Sequence, residues 1–273
     1  MNNSDSPDES LKHFLHRHPK LVVLSGAGIS AASGIPTYRD ESGRWQHSKP
    51  IQHNDFLASA ATRRRYWARS MNGWPVISNA IPNAAHHALA QLERNDHLEL
   101  LITQNVDRLH QKAGSRRVID LHGRLDRVRC LQCQDISERT DMQRRLTALN
   151  PDQVHSEGSA RPDGDSELPD TGLESFKIPD CDQCGGRLMP DVVFFGANIP
   201  RARTESCIAA LERADALLVI GSSLQVYSGF RFCKQAKASG KAIAILNPGA
   251  TRADDLASLK INEPAECLLP GLV

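Results

Sequence analysis

The sequence predicts an α/β protein: a Rossmann-like, doubly wound parallel sheet that carries a small inserted zinc-binding module and a small helical insertion. Three observations support this prediction. Short apolar runs of strand length alternate with helix-like segments. Nearly every run ends in a glycine-rich or polar motif. Two Cys-x-x-Cys pairs, at residues 130–133 and 181–184, interrupt the alternation.

The predicted strands are apolar runs, read as buried parallel strands: Leu21–Leu24, Leu98–Thr103, Val118–Leu121, Asp191–Gly196, Ala216–Ile220 and Ala242–Leu246. Segments with helical periodicity and a start signal predict helices at Asn83–Glu93, Thr204–Arg213 and Gly229–Ala238. Because ligands bind outside the carboxyl ends of parallel strands, the motifs that follow these runs should meet in one crevice.

The predicted nucleotide-binding domain is discontinuous and comprises residues 1–39, 80–123 and 191–273. Residues 40–79 form an insertion of short helices with a cofactor loop, and residues 124–190 form the zinc-binding module. Within that module we expect a mobile loop at about residues 150–175, because the stretch is rich in charged residues, proline and glycine.

Composition excludes several classes of protein. The 273 residues suit one large domain or two unequal ones. The 33 basic and 32 acidic residues leave a net charge of +1, without the basic excess of a dedicated nucleic-acid binder. No apolar run approaches the roughly 18 residues that span a bilayer, and residues 1–9 lack the features of a secretory or transit signal. We expect a cytoplasmic protein with neither membrane nor direct nucleic-acid contacts.

A glycine turn follows the first predicted strand. Gly26 and Gly28 would let the backbone approach a pyrophosphate at a helix N-terminus. Ala31 replaces the third glycine of the dinucleotide fingerprint, and no clear acidic residue follows about 20 residues later, so a plain strand-to-helix turn is equally compatible with this motif alone. Residues 221–223 and Asn247, at two other strand ends, favour a nucleotide.

The cysteine pairs predict a closed tetrahedral zinc site, which uses all four thiolates and leaves no position for chemistry. The alternative is a reactive redox pair, but two glycines after the second pair favour zinc. The proposed ligands are Cys130, Cys133, Cys181 and Cys184. Cys207 and Cys233 are most simply buried apolar residues.

His122 is the candidate general base, because it lies at a strand exit in the predicted crevice. Asn105 and Asp107 stand in the same crevice. The plainer alternatives are a structural histidine and an asparagine that only caps a loop. A Gly-x-Ser-x-Gly elbow is absent from the sequence, which disfavours a serine hydrolase.

Taken together, these residues resemble the sirtuin family of NAD-dependent protein deacylases. The matching stretches run in the family's order from about residue 21 to the end: GAGIS–ASGIPTYRD, TQNVDRLH, LHGR, the two cysteine pairs, PDVVFFG, GSSLQVYS and LNPG. Further stretches, among them PIQHNDF, RYWAR, NGWP, PDGD and DDLASLK, look most similar to class II sirtuins, the branch that includes a mitochondrial member in animals and bacterial relatives.

The resemblance implies a lysine deacylase, and in particular a deacetylase, that releases nicotinamide and O-acyl-ADP-ribose. NAD would be the co-substrate, one Zn²⁺ would be structural, and the chain would be a monomer. The implied catalytic residues are His122, which takes a proton from a ribose hydroxyl, and Asn105. The implied NAD contacts are Gly26, Ala27, Gly28, Ser30, Ile35, Tyr38, Arg39, Gln104, Asn105, Asp107, Gly221, Ser222, Ser223, Asn247, Gly249 and Cys267.

The resemblance also implies that an acyl-lysine peptide pairs as an added strand between residues 193–196 and 225–228. The implied substrate residues are Val193, Phe194, Phe195, Gly196, Val226, Tyr66 and Arg69. The sequence departs from the family at Thr37, Ala197 and Ser228, where relatives commonly carry Asp, Glu and Pro.

Tyr66 and Arg69 have the Tyr-x-x-Arg spacing by which some sirtuins hold acidic acyl groups. On a helix this spacing puts both side chains on one face, and an arginine pairs well with a carboxylate. The hypothesis is that acidic acyl groups are accepted; the alternative is a surface arginine. Other functions left open are a mono-ADP-ribosyltransferase, a deacylase preferring longer acyl groups, a non-catalytic zinc-containing binding module and a Rossmann dehydrogenase.

Overall fold

The structure is a computed structural model that describes residues 6–40, 44–46, 50–153, 159–167 and 172–272. In chain order its strands are β1 (Leu21–Ser25), β2 (Leu98–Thr103), β3 (Val118–Asp120), β4 (Gly123–Cys130), β5 (Ile136–Glu138), β6 (Ser159–Ala160), β7 (Ser166–Glu167), β8 (Leu188–Val192), β9 (Ala216–Ile220), β10 (Ala242–Leu246) and β11 (Leu259–Ile261). Its α-helices are α1 (Pro7–Arg17), α2 (His53–Ala58), α3 (Ala60–Asn79), α4 (Ala84–Arg94), α5 (Leu109–Lys112), α6 (Arg139–Leu149), α7 (Arg201–Arg213), α8 (Tyr227–Ala238) and α9 (Ala265–Leu268).

The main sheet confirms the predicted doubly wound architecture. Its strands are parallel and lie in the order β11-β10-β9-β1-β2-β3. The chain therefore winds outward from β1 in one direction and then, starting at β9, in the other. The junction between β1 and β9 is the switch point, where such sheets open a crevice at the carboxyl ends of the strands.

Alternate residues of each strand face two different cores, which is why the central strands are apolar throughout. Leu21 and Val23 pack with α1 and α4 on one side of the sheet. Val22 and Leu24 pack on the other side with α7 and α8, whose Cys207 and Cys233 are fully buried, as predicted.

Most predicted elements are present. α4 begins after Asn83, whose side chain accepts a hydrogen bond from the Ala85 N–H at 3.0 Å, the expected cap. Helix α7 begins at Arg201 rather than Thr204, and α8 begins at Tyr227 rather than Gly229.

The strand predicted at Asp191–Gly196 is misplaced. The observed strand β8 ends at Val192 and pairs antiparallel with β4 in a separate sheet ordered β5-β4-β8. Residues 193–196 leave this sheet, and Phe194 packs on Phe56 and Tyr66, with ring centroids 5.0 and 5.3 Å away. The run is apolar because it faces a second core, not because it crosses the main sheet.

That second core joins the two insertions. Phe56 from α2 and Trp67 from α3 share it with Val128 and Leu146 of the zinc-binding module. Helix α3 is also one helix of 20 residues rather than several short ones. The insertions therefore pack together as one body beside the main sheet.

Part of the stretch predicted to be a mobile loop, residues 159–167, contains a hairpin made of β6 and β7. Residues 154–158 and 168–171 of that stretch lie outside the described residues. It anchors to α3 through polar contacts: Arg69 Nε donates to the Ser166 carbonyl at 2.7 Å, and Ser166 Oγ donates to the Arg69 carbonyl at 2.8 Å. A side chain at Gly73 would collide with the hairpin backbone, because its Cβ would lie 2.5 Å from the Asp165 carbonyl oxygen.

None of the helices within the described residues is long and apolar enough to cross a membrane.

Candidate active site

Two glycine loops meet at the switch point. The Gly26 N–H donates to the Ile220 carbonyl at 3.0 Å, and the Gly28 N–H donates to the Gly221 carbonyl at 2.8 Å. Gly221 adopts φ +59°, and a Cβ there would lie 2.4 Å from the Ile29 nitrogen. A Cβ on Gly28 would lie 2.8 Å from the Gly221 Cα. Side chains at these positions would push the loops apart, so the close backbone approach depends on glycine.

These loops form one wall of a cavity of about 800 Å³. The structure brings to it His122 and every predicted cofactor residue except Cys267. It also brings all the predicted substrate residues except Arg69. The convergence of motifs from separate strand ends, predicted from their order in the chain, is therefore confirmed.

The polar floor of the cavity is a hydrogen-bonded network. Asn105 Nδ2 donates to the Gly26 carbonyl at 3.1 Å and to Ser30 Oγ at 3.0 Å, and Ser30 Oγ donates to Asp107 Oδ2 at 2.7 Å. Burial raises the pKa of Asp107, while bonds from the Leu109 N–H and Ser30 oppose that rise. Because each member has a defined partner, the amide and the carboxylate are held in place before any ligand binds.

His122 sits at the exit of β3, between the main sheet and the zinc-binding module. Its Nδ1 lies 3.0 Å from the Gln104 carbonyl oxygen, and its Nε2 lies 2.8 Å from Ser228 Oγ. The pKa of His122 is lowered to about 4: burial is the largest cause, the Gln104 carbonyl opposes it, and Arg203 adds to the lowering. The ring is therefore neutral at pH 7, as a proton acceptor must be.

Gln104 links this histidine to the glycine loops. Its backbone carbonyl faces the imidazole, while its side-chain Nε2 donates to Ser222 Oγ at 2.8 Å. The residue thus joins the candidate base to the serine expected to bind phosphate.

Aromatic side chains cover the cavity. Tyr38 stacks on Trp45 with centroids 5.4 Å apart, and Phe195 meets both rings edge-on. The Arg39 guanidinium lies 4.9 Å from the centroid of the Trp45 ring. Sequence reasoning missed Trp45, although its aromatic character within the insertion could have suggested a role.

Directly after β10, at the same edge of the sheet, Asn247 Nδ2 donates to the Gly249 carbonyl at 2.7 Å. Lys260 Nζ donates to the Asn247 and Gly249 carbonyls at 2.6 and 2.9 Å, a support that the sequence did not reveal. Residues 264–266 line the cavity, whereas Cys267 is exposed and lies outside the lining. Cys267, the predicted contact, is therefore next in sequence to residues that line the cavity but does not line it itself.

The structure places Arg69 away from the cavity lining and also away from the surface. Its side chain is buried, and Nε lies 3.0 Å from Asp165 Oδ1. The hairpin instead presents Pro162, Asp163 and Asp165 to the cavity beside Tyr66. Burial, and then the neighbouring Asp163, raise the pKa of Asp165. The sequence did not indicate that these acidic residues line the cavity, because the composition of this stretch is that of a loop and gives no sign of how it packs.

The four predicted zinc ligands form one cluster, with all four sulfurs within 4.8 Å of one another. Cys130 Sγ lies 3.5 Å from Cys184 Sγ, and Cys133 Sγ lies 3.7 Å from Cys181 Sγ. Tetrahedral zinc with sulfurs at about 2.3 Å requires sulfurs about 3.8 Å apart, so the cluster fits the ion. With four thiolates around it the ion has no open position, and it supports the module rather than the reaction.

A sheet of Rossmann strand order whose switch-point crevice combines two close glycine loops, hydrogen-bonded amides and a neutral histidine defines a dinucleotide-dependent enzyme. A profile of the Sir2 family matches residues 26–228. The chain belongs to the Sir2 family, which confirms the resemblance to sirtuins.

Known relatives span nearly the whole chain. It is 55% identical over 254 residues to the NAD-dependent protein deacetylase of Xanthomonas campestris pv. campestris (strain 8004), covering 93% of this chain and 87% of that protein. It is 50% identical over the full length of both chains to NAD-dependent protein deacetylase 2 of Bradyrhizobium diazoefficiens. It is 47% identical over 265 residues to the NAD-dependent protein deacylase Sirt4 of Drosophila melanogaster, covering 96% and 85% of the two chains.

Solved structures share the fold. A complex described as Sir2-p53 peptide-NAD+ superposes with a TM-score of 0.79 at 31% identity, covering 97% of this chain and 96% of that chain. A Sir2Tm structure bound to a propionylated peptide gives a TM-score of 0.78 at 30% identity, with the same two coverages.

We predict that the purified protein holds about one zinc ion per chain and that Cys181→Ala loses it. A structural zinc site contributes folding free energy, so the variant should also unfold at a lower temperature. Zinc content by plasma mass spectrometry and thermal unfolding measure both effects. Cys267→Ala, an exposed thiol outside the cluster, is the matched control and should keep the metal. Full zinc content in Cys181→Ala would contradict the assignment.

Proposed function

We propose that the chain is a protein lysine deacylase that consumes NAD and transfers the acyl group from lysine to the ADP-ribose part of the co-substrate. One observation carries the proposal: His122, neutral and held at both ring nitrogens, shares a cavity with the glycine cradle and with the aromatic residues expected at the acyl-lysine. The family and its NAD-dependent deacetylase relatives support the same reaction.

Different parts of the cavity lining would bind different parts of NAD. The glycine turn at residues 26–28 and Ser222 would bind the pyrophosphate, and Asn247 would bind the adenosine ribose. Asp107 would accept a hydrogen bond from the nicotinamide amide, with Asn105 beside the nicotinamide ribose. Loss of nicotinamide makes the ribose carbon an electrophile for the acyl oxygen, and these contacts hold the two in attack geometry.

His122 then removes a proton from a ribose hydroxyl, whose oxygen bonds to the acyl carbon. Nδ1 donates to the Gln104 carbonyl, so the lone pair of the neutral ring is on Nε2, the nitrogen that would accept this proton. The ribose of the co-substrate captures the acyl group. The carbon–nitrogen bond to lysine then breaks, lysine leaves as the free amine after taking up a proton, and water supplies the oxygen that completes O-acyl-ADP-ribose, so the chain needs no nucleophile of its own.

The lysine-bearing peptide would enter between residues 193–196 and the segment around Val226, which is exposed at 41%. Val193 already donates through its N–H to the His122 carbonyl at 2.7 Å, which ties the substrate segment to the base. The solved Sir2 complexes with p53 and propionylated peptides support a protein segment as the substrate. A monomer in the cytoplasm, without nucleic-acid contacts, completes the proposal.

Mono-ADP-ribosyl transfer is the main competing activity, because it would use the same NAD site. Hydride transfer, the reaction of a Rossmann dehydrogenase, is disfavoured, because His122 and the residues proposed to bind acyl-lysine have roles in deacylation. Neither the cavity nor the relatives point to a non-catalytic binding module.

The central experiment measures nicotinamide release with a panel of acyl-lysine peptides. We predict release that depends on the peptide, and a loss of at least about 100-fold in deacylation for His122→Ala, the lower end of what a general base contributes. NAD binding should persist, because the imidazole acts on a proton rather than on the pyrophosphate. His97→Ala, an exposed histidine at the start of β2, is the control. Label that moves from NAD onto protein without a peptide would instead indicate ADP-ribosyl transfer.

Acidic acyl selectivity through Arg69 is a separate question, and the pairing of Arg69 with Asp165 argues against it. We predict that Arg69→Met lowers turnover of acetyl-, succinyl- and glutaryl-peptides by the same factor, because it loosens the hairpin rather than an acyl contact. The ratio of kcat/KM values between peptides is the measurement, and Arg64→Met is the control on the same helix. A selective loss on succinyl- and glutaryl-peptides would restore the original hypothesis.

A further inference from the structure

Ser228 contacts the candidate base directly. It is the second residue of α8, and its Oγ lies 2.8 Å from His122 Nε2, the nitrogen that must receive the proton. Both residues line the cavity. The sequence-based resemblance places a proline at this position in many relatives. Because proline has no hydroxyl, the contact distinguishes this chain from those relatives.

The other ring nitrogen defines the direction of this hydrogen bond. A carbonyl oxygen can only accept, so the Gln104 carbonyl requires the hydrogen of the neutral imidazole to be on Nδ1. Nε2 then carries the lone pair, and the Ser228 hydroxyl donates to it. The two contacts hold the ring from opposite edges and set both its tautomer and its orientation.

We propose that Ser228 is a positioning residue for the reaction, one that orients His122 while it is neutral and stabilises it once it is charged. The inference rests on the proposed function, since it assigns a partner to the base of that reaction.

A hydroxyl suits both states of the ring. In the neutral state Ser228 donates to Nε2. When the ribose O–H bond breaks, its proton bonds to Nε2 and its oxygen bonds to the acyl carbon; the serine hydroxyl has then turned, and its oxygen accepts from the new N–H. The second bond is the stronger one, because a charged donor roughly doubles the strength of a hydrogen bond.

The stabilisation matters because the surroundings disfavour the cation. Burial and the Arg203 guanidinium on α7 both lower the pKa of His122. Arg203 is held beside the ring by its bond to the Leu121 carbonyl at 3.1 Å. The other charged groups that line the cavity are Arg39, Asp40, Asp107, Asp163, Asp165, Arg231 and Glu266. Ser228 and the Gln104 carbonyl are the acceptors that offset this cost at the two ring nitrogens.

The test compares Ser228→Ala, which removes the hydroxyl, with Ser228→Thr, which keeps it. Ser239→Ala, an exposed serine at the end of α8, is the matched control. For Ser228→Ala we expect kcat for deacylation to fall about tenfold, with the KM for NAD little changed. Ser228→Thr should recover most of the rate, and Ser239→Ala should match the parent.

Two further readouts separate positioning from a merely structural role. Exchange of labelled nicotinamide into NAD needs no proton transfer to His122, so Ser228→Ala should retain it while deacylation slows. Without the serine oxygen the charged ring loses an acceptor, so its pKa falls. The acidic limb of the pH profile of kcat/KM should therefore move to lower pH, by about half a unit or more.

The outcomes are distinct. Unchanged deacylation and an unchanged pH profile in Ser228→Ala would overturn the inference. Parallel losses of exchange and deacylation, or no recovery in Ser228→Thr, would assign Ser228 to folding or binding and also overturn it. If the parent protein itself consumes no NAD with any acyl peptide, the proposed function fails instead, and nitrogen NMR of the His122 ring still tests the contact: removal of the serine hydroxyl should shift the Nε2 resonance.

Discussion

The whole site depends on two backbone loops that touch where the sheet reverses its winding. Gly26 and Gly28 donate to the end of β9 and to Gly221, and no side chain separates them. This contact places the backbone of both loops at the cavity wall, where no side chain keeps a phosphate at a distance. It also brings the ends of β1, β2 and β9 together, so that Asn105, Ser222 and His122 face one cavity. A nucleotide site therefore follows from the topology as much as from any single side chain.

A second constraint is the charge that the proposed reaction places on the partly buried His122 imidazole. The environment lowers the pKa of His122 to about 4, which keeps the ring neutral and ready to accept a proton but makes it a weak base. Hydrogen bonds at both ring nitrogens offset that weakness without adding a second charge.

The zinc-binding module takes no direct part in this chemistry. Its core continues into the helical insertion, which supplies Tyr66 to the cavity, so the cysteine cluster and the cavity are joined through packing.

The parts that could be predicted from the sequence are those in which local pattern and three-dimensional role coincide. β2, β9 and β10 have the bounds expected from their apolar runs, and the motifs after them meet because parallel strands end on the same side. The cysteine spacing likewise indicated the cluster. Errors arose where a residue's role depends on a distant partner. Arg69 pairs with Asp165, 96 positions along the chain, and the run at 193–196 serves a second core. Neither partner leaves a signal in the local sequence.

The most direct test of the central claim is the affinity for ADP-ribose, measured by titration calorimetry on two glycine variants. Both Gly221→Ala and Gly34→Ala place alanine at positive φ, but only at Gly221 would the added Cβ meet the neighbouring loop; at Gly34 it meets nothing within 4 Å. The account predicts that Gly34→Ala keeps the Kd within about twofold, while Gly221→Ala weakens it at least about tenfold. Gly28→Ala, which crowds the same contact without positive φ, should behave like Gly221→Ala. Equal affinities in all three variants would contradict the claim that the backbone contact builds the site.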